Sequence, residues 1–273
     1  MLACVVNLSE GRLPEVIASL AAAAGDHCLD VHTDADHHRS VFWLAGPEVE
    51  DAARALATAA VHTLSLTEHD GVHPRIGVVD VVPFVPIDPA ASMFHAIGAR
   101  DAFAVWAGNT LDLPCFLYGP NRTLPEVRKT AFDPAVPDTG PRHPHPTAGA
   151  AAVGARTPLV AYNLWLTNSE LAQAKVVAAG LRGPDVRALG LQVGDHVQVS
   201  CNLINPSRVG PAQVYDDVAR RVPVSRAELV GLVGRDVLTA VPARRWAELD
   251  LAEAKTVEAC LEQAGLGGSP AGR

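Results

Sequence analysis

Eleven histidines in 273 residues is a high density, and most of them gather in three short stretches. The first is Asp34-Ala35-Asp36-His37-His38-Arg39, the second His69-Asp70-Gly71-Val72-His73-Pro74-Arg75, and the third His143-Pro144-His145. Imidazole is the side chain that gains and loses a proton near neutral pH, so such clusters point first to acid–base chemistry. A single loop histidine is more often just solvated; three groups in loops between elements, where function concentrates, shift the balance. Within the second group, Pro74 biases His73 toward an extended backbone. A stiffly held imidazole beside the guanidinium of Arg75 suits proton transfer on an anionic substrate. The plain alternative for Arg75 is a surface ion pair.

A metal centre is the competing reading. His69 and His73 are four residues apart, and Asp36, His37, Asp70 and His145 are further ligand types. That spacing places two ligands on one face only in a helix, and Gly71 and Pro74 break any helix there. No zinc signature is present, and no metal is expected. Two other polar loops stand out. Asn7-Leu8-Ser9-Glu10-Gly11-Arg12 separates a strand from a helix: Ser9 reads either as a helix cap or as part of a loop that receives a carboxylate at the helix N-terminus. The stretch 140–149, rich in Gly, Pro and His, reads either as a linker between units or as a stiff wall for a flat ring.

The elements that must position these loops alternate in type. Strands are expected at Leu2–Asn7, Leu29–Thr33, Ser40–Ala45 and Gly77–Val85, with helices at Pro14–Ala24 and Glu48–Leu66. A further helix, Pro89–Leu111, and a strand, Pro114–Tyr118, extend this half. Asp133–Gly149 carries too much Pro, Gly and His for regular structure. The order then repeats: a strand at Leu159–Leu166, a helix capped by Ser169 and running to Leu181, a hairpin of Val186–Val193 and His196–Asn202 around Gly194-Asp195, a helix at Gly210–Arg221 and a strand at Glu228–Val233. Each half is βαββαβ, the split-βαβ plan of ferredoxin-like folds. The fold class is therefore α+β, two ferredoxin-like subdomains packed with a cleft between their sheets, and Gly265–Arg273 is read as an unstructured tail.

Composition narrows the partners. The net charge is −8 and no Lys/Arg-rich block occurs, which argues against nucleic acid. The long helical apolar stretch 48–66 carries Glu48, Glu50, Asp51, Arg54 and His62, too polar to span a bilayer. The start MLACVVNLSEGR lacks the features of a signal peptide. Five scattered cysteines without a CxxC pair fit a reducing cytoplasm and no disulfide framework.

Seven stretches together carry a resemblance: CVVNLSEGR from Cys4, DADHHRSVFWLAGPEV from Asp34, HPRIGVVDVVPFVPI from His73, DTGP from Asp138, VGARTPLVAYNLWL from Val153, VQVSCNLINP from Val197 and ELVGLV from Glu228. They span nearly the whole chain, which resembles the glutamate formiminotransferase family, found as the N-terminal domain of formiminotransferase-cyclodeaminase and as a free-standing bacterial enzyme. The resemblance implies a division after Gly154-Ala155, into residues 1–155 and 156–273. It implies His73 as the catalytic residue. It maps the folate-contacting loop onto Gly140, Pro141, Arg142, His143, Pro144, His145, Pro146, Thr147, Ala148 and Gly149, with a second folate contact near Gly183. This sequence departs from the family pattern in having Val6-Asn7-Leu8 for Pro-Asn-Phe, His38 for Asn, Val72 for Glu and Thr139 for Phe.

The reaction so implied is transfer of a formimino group from formiminoglutamate to N5 of tetrahydrofolate, which acts as co-substrate. One histidine can take the proton of the attacking amine and return it to the departing glutamate nitrogen. Arg39 and Arg75 are expected to clamp carboxylates in paired bonds; Asn7, Glu10 and His38 complete the substrate-binding set. The cyclodeaminase that acts next is expected on a separate protein, and free sheet edges leave a homodimer open. Three alternatives stand beside this reading. They are a same-fold transferase using another donor or acceptor, a non-catalytic folate-binding protein, and a metal-dependent hydrolase.

Overall fold

The computed structural model describes residues 1–67, 69–71 and 74–267. The chain forms two units, Met1–Thr157 together with residues 264–267, and Pro158–Gln263.

In the first unit β1 (Leu2–Leu8), α1 (Pro14–Ala23), β2 (Cys28–Asp34), β3 (Arg39–Ala45), α2 (Val49–Thr63) and β4 (Val79–Pro86) follow the βαββαβ order. α2 forms because its apolar residues recur at helical spacing: Val49, Ala52, Ala53, Leu56, Ala57 and Ala60 are all buried. The unit continues with α3 (Met93–Thr110), β5 (Cys115–Tyr118), α4 (Leu124–Thr130) and β6 (Ala151–Ala155). The six strands order as β2-β3-β1-β4-β6-β5. The first four are antiparallel neighbours, and β6 inserts in parallel between β4 and β5. Leu20 of α1, Leu56 of α2 and Phe103 of α3 share one core with Val6, Phe42 and Phe84 of the sheet. Val127 of α4 packs on a separate cluster with Val81, Phe116 and Ala152.

The second unit repeats the plan with β7 (Val160–Leu166), α5 (Leu171–Leu181), β8 (Val186–Val193), β9 (His196–Leu203), α6 (Pro211–Ala219) and β10 (Val224–Val230). Its sheet order is β10-β7-β9-β8, so both units have the strand order of a ferredoxin-like fold. β8 and β9 meet in a two-residue turn whose Gly194 has φ +55°, the left-handed conformation such hairpins require. α7 (Arg235–Thr239) and α8 (Val257–Gln263) follow. The Tyr162 hydroxyl is buried and donates to the Leu249 carbonyl at 2.8 Å, tying this tail to the sheet.

Several expectations need correction. α5 begins after Glu170, not Ser169, whose hydroxyl instead donates to the Thr167 carbonyl. The last strand starts at Val224 because its polar residues Ser225 and Arg226 lie on the exposed face and carry no apolar signal. Asp133–Gly149 holds no helix or strand, but it is not a linker between units: it lies inside the first unit and leads into β6. Cys4, Cys115 and Cys201 are free thiols and buried. Burial pushes the Cys115 and Cys201 thiols up to about 12, so they behave as core side chains. Among the described residues no helix is long and apolar enough to cross a membrane.

Candidate functional site

The turn between β2 and β3 is built by Asp34. Its carboxylate accepts from the His37 amide at 2.8 Å and bonds the His37 ring at 2.7 Å. Burial alone would raise this carboxyl, but the two bonds from His37 win and hold it at about 2. The turn then needs a left-handed residue, and His38 supplies it at φ +49°. Asn and His are both enriched there among non-glycine residues, so His38 meets the same backbone demand as the family's Asn.

His38 Nδ1 accepts from the Gly11 amide at 3.1 Å, which puts the proton of the neutral ring on Nε2. Its ring stacks on His69 with centroids 4.0 Å apart and planes 26° apart. The His69 Nε2 donates to the His38 carbonyl at 3.2 Å, while its Nδ1 accepts from Gly71 at 3.4 Å. Burial lowers the pKa of both rings; on His38 the carboxylates of Glu10 and Asp70 oppose the fall while Arg12 and Arg75 add to it, and Arg75 and His38 push His69 further down. The pair is therefore neutral at neutral pH. Arg12 joins the same loops, donating to the Ala35 carbonyl at 3.0 Å and to Asp70 at 2.6 Å. Gly71 is required here: a Cβ would stand 2.4 Å from the His37 carbonyl oxygen and 2.5 Å from His38 Cβ.

The loop from Asn7 to Arg12 is already satisfied from within. Glu10 is buried, and its carboxylate accepts from the amides of Arg12 at 2.6 Å and Leu13 at 3.0 Å. Ser9 is not a cap; its hydroxyl donates to the Gly77 carbonyl at 2.9 Å, and Leu13 is the residue before α1. The amides beside α1 that a ligand carboxylate would use thus hold Glu10. Asn7 lies in β1, donating to the Val5 carbonyl at 3.2 Å.

Beneath these loops lies a cationic cluster. Asp80 of β4 is buried and bonded by Arg128 of α4, with Arg39 and Arg75 also acting on it electrostatically. Burial raises the Asp80 carboxyl and Arg128 opposes that rise. Arg39 is pushed down to about 10 by burial, against the pull of Asp80 and Asp34, and stays charged at neutral pH. Three guanidiniums thus gather around Asp80, with Asp34 acting on Arg39 and Asp70 on Arg75, and guanidinium is the group that pairs with carboxylates. Arg75 also donates to the His37 carbonyl at 3.3 Å. His73, like Val72, lies outside the described residues.

The third loop is stitched to the second by its backbone. Leu66 donates to Thr147 at 2.8 Å, Val78 to Ala148 at 2.9 Å, and Ala150 to Ile76 at 2.9 Å. His145 Nδ1 accepts from the Ala148 amide at 3.0 Å, so this ring shapes its own turn. Gly140 (φ +80°) rests on Gly108 of α3, and the neighbouring Thr139 hydroxyl donates to the Ala104 carbonyl at 2.7 Å. Pro141 and Gly149 are half-buried, while Arg142, His143, Pro144, Pro146 and Thr147 form an exposed rim stiffened by proline. Gly183 belongs to the second unit and is exposed, its amide bonded to the Val186 carbonyl at 3.0 Å.

The first two histidine groups therefore meet through their rings, and the third joins them through its backbone. Of the family departures, Val6 is core, His38 serves the turn, and Thr139 anchors the third loop to α3. Sequence reasoning missed Asp80, Arg128 and the Arg12–Asp70 pair. Thr123 and Glu126 form a capping box that announces α4, and so Arg128, three residues apart in the sequence. Among the described residues no group of three or more His, Cys, Asp or Glu side chains is placed to hold a metal ion.

Two ferredoxin-like units, with imidazoles on the loops of the first and guanidiniums clustered around Asp80 beneath them, bring acid–base and carboxylate-pairing groups together in an α+β fold. Residues 1–156 match the family model of the formiminotransferase domain, N-terminal subdomain. The chain is 35% identical over 281 residues to the glutamate formimidoyltransferase of Streptococcus pyogenes serotype M1, covering 92% of this chain and 91% of that one. It is 32% identical to the glutamate formimidoyltransferase of Thermoplasma acidophilum, over 86% of this chain and 88% of that one. It is 34% identical to the formimidoyltransferase-cyclodeaminase of Gallus gallus, over 86% of this chain and 50% of that one. The chain belongs to the formiminotransferase family, whose members transfer a one-carbon group.

Proposed function

We propose that this protein is a glutamate formimidoyltransferase, moving the formimino group of formiminoglutamate to N5 of tetrahydrofolate and releasing glutamate. The observation that carries this reading is the end-to-end similarity to the free-standing streptococcal enzyme of that name. The site's chemistry agrees with it. The donor has two carboxylates, and Arg39 and Arg75 supply charge for them beside Asp80. Tetrahydrofolate, the co-substrate, is flat at one end and anionic at the other, and the proline-stiffened rim with Arg142 suits both. His73 is the proton carrier: it takes the proton of the attacking N5 and delivers it to the departing glutamate nitrogen. General acid–base help of this kind is worth roughly 10²–10⁴-fold, and the rest of the acceleration comes from holding two substrates together.

The protein acts in the cytoplasm, and a cyclodeaminase then removes ammonia from the product. The test is stoichiometry: incubation with formiminoglutamate and tetrahydrofolate releases one glutamate per 5-formiminotetrahydrofolate formed. Product from another formimino or formyl donor, with none from formiminoglutamate, would replace the donor and keep the fold and acceptor.

A further inference from the structure

The stretch that follows His73 is held from the side by a pair that the reading above leaves without a task. Arg128 uses one guanidinium nitrogen to bond the Pro74 carbonyl and another to bond Asp80. Asp80 uses its other oxygen to accept from the Ile76 amide at 2.8 Å. The ring closes on itself: Pro74 to Arg128, Arg128 to Asp80, Asp80 to Ile76, with Arg75 between the two anchored residues. Asp80 is 2% exposed at its side chain and Arg128 19%, so solvent screens the pair little. Both bonds to the backbone involve a charged partner, which makes them shorter and stronger than neutral ones. Val127 buries α4 against Val81 and Phe116, so Arg128 projects from a packed helix.

We propose that Arg128 and Asp80 are positioning residues that clamp the backbone from Pro74 to Ile76 and thereby hold the peptide units on either side of Arg75, and with them its guanidinium, in register for the donor. The assignment rests on the formiminotransferase reading with Arg75 as a clamp on the donor. A guanidinium fork is needed, because one group must serve a carbonyl and a carboxylate in two directions; an ammonium on a flexible stem does not replace it. Arg128 touches no substrate in this account, so its loss acts through Arg75, on the donor's binding and alignment and not on the acceptor. Misplacement of reacting groups by about 1 Å costs on the order of 100-fold.

The test uses the full chain. Arg128→Lys keeps a cation beside the buried Asp80 and so guards against unfolding, while Arg128→Ala opens space for a soluble substitute. The expected result is a drop in kcat/KM for formiminoglutamate of about 100-fold in both variants, with KM for tetrahydrofolate changed less than about threefold. Added methylguanidinium restores a measurable part of the rate to Arg128→Ala, and amide exchange at Ile76 is faster in both variants than in the parent. A kcat/KM for formiminoglutamate that stays at the parent value, or a KM for tetrahydrofolate that rises by itself, overturns the clamp. If the parent protein itself turns over no formiminoglutamate, the function is wrong, and the clamp is then judged on exchange alone: unchanged protection at Ile76 overturns it and lost protection upholds it.

Discussion

Two glycines of α3 make opposed predictions from one substitution. Gly98 and Gly108 both lie inside Met93–Thr110, where alanine is favoured over glycine by about 0.5–1 kcal/mol. A Cβ on Gly98 meets nothing within 4 Å, so Gly98→Ala is expected to show that gain in full. A Cβ on Gly108 would stand 2.7 Å from Gly140 N and 2.8 Å from its Cα. Both atoms are backbone and cannot turn aside, and Gly140 is itself fixed at φ +80°. Overpacking of this kind costs about 1–3 kcal/mol, so Gly108→Ala loses stability by up to about 2 kcal/mol once the helix gain is subtracted. The damage falls at the first residue of the proposed folate loop. KM for tetrahydrofolate is therefore expected to rise in Gly108→Ala and to stay put in Gly98→Ala. Thermal or urea unfolding gives the first comparison, and steady-state kinetics the second. If both variants gain the same stability and neither alters KM, the 140–149 loop is not seated on α3 and the reasoning is refuted.

Other consequences follow from single groups. His38 and His69 have pKa values below their ordinary one, so the unfolded chain binds protons more readily than the fold; the stability they contribute is present above about pH 6.5 and is lost as pH falls. Unfolding midpoints across that range should fall less steeply in His69→Phe, which keeps the stack without the titration; equal slopes would count against the neutral pair. Ser40→Ala removes a fully buried hydroxyl that donates to the Glu10 carbonyl at 2.6 Å, and a loss of about 1–3 kcal/mol is expected in denaturant titration. Arg142 is exposed, so Arg142→Ala should leave the melting temperature nearly unchanged and raise KM for tetrahydrofolate roughly tenfold, the worth of one charge-assisted bond; an unchanged KM removes this residue from the acceptor site.

The sequence made the scaffold legible wherever apolar spacing marks an element. α2 reads from its buried alanines and leucines, and the β8–β9 hairpin from Gly194-Asp195. What escaped had weak or misleading signals. β6 is the small-residue run Ala151–Ala155, with Val153 its single β-branched residue, and it is inserted between β4 and β5. α4 carries Pro125 in its first turn, where proline is tolerated, and its capping box was the cue available. Missing α4 hid Arg128, and with it the reason Asp80 is buried. The histidine groups were visible as clusters, but their roles were not. The stack of His38 on His69 and the shaping of the third loop by His145 depend on contacts between segments far apart in sequence. Glu10 is the same lesson in reverse: the loop beside α1 has the look of an anion site, and the chain's own carboxylate fills it.

The most direct measurement mixes the purified protein with tetrahydrofolate and formiminoglutamate, adds acid, and follows the absorbance of the methenyl-folate that forms from 5-formiminotetrahydrofolate. The account predicts a signal with the parent protein that falls by at least about 100-fold in His73→Ala. Full turnover in His73→Ala would contradict the proton-carrier role, and a silent parent protein that still binds tetrahydrofolate would contradict the assigned donor.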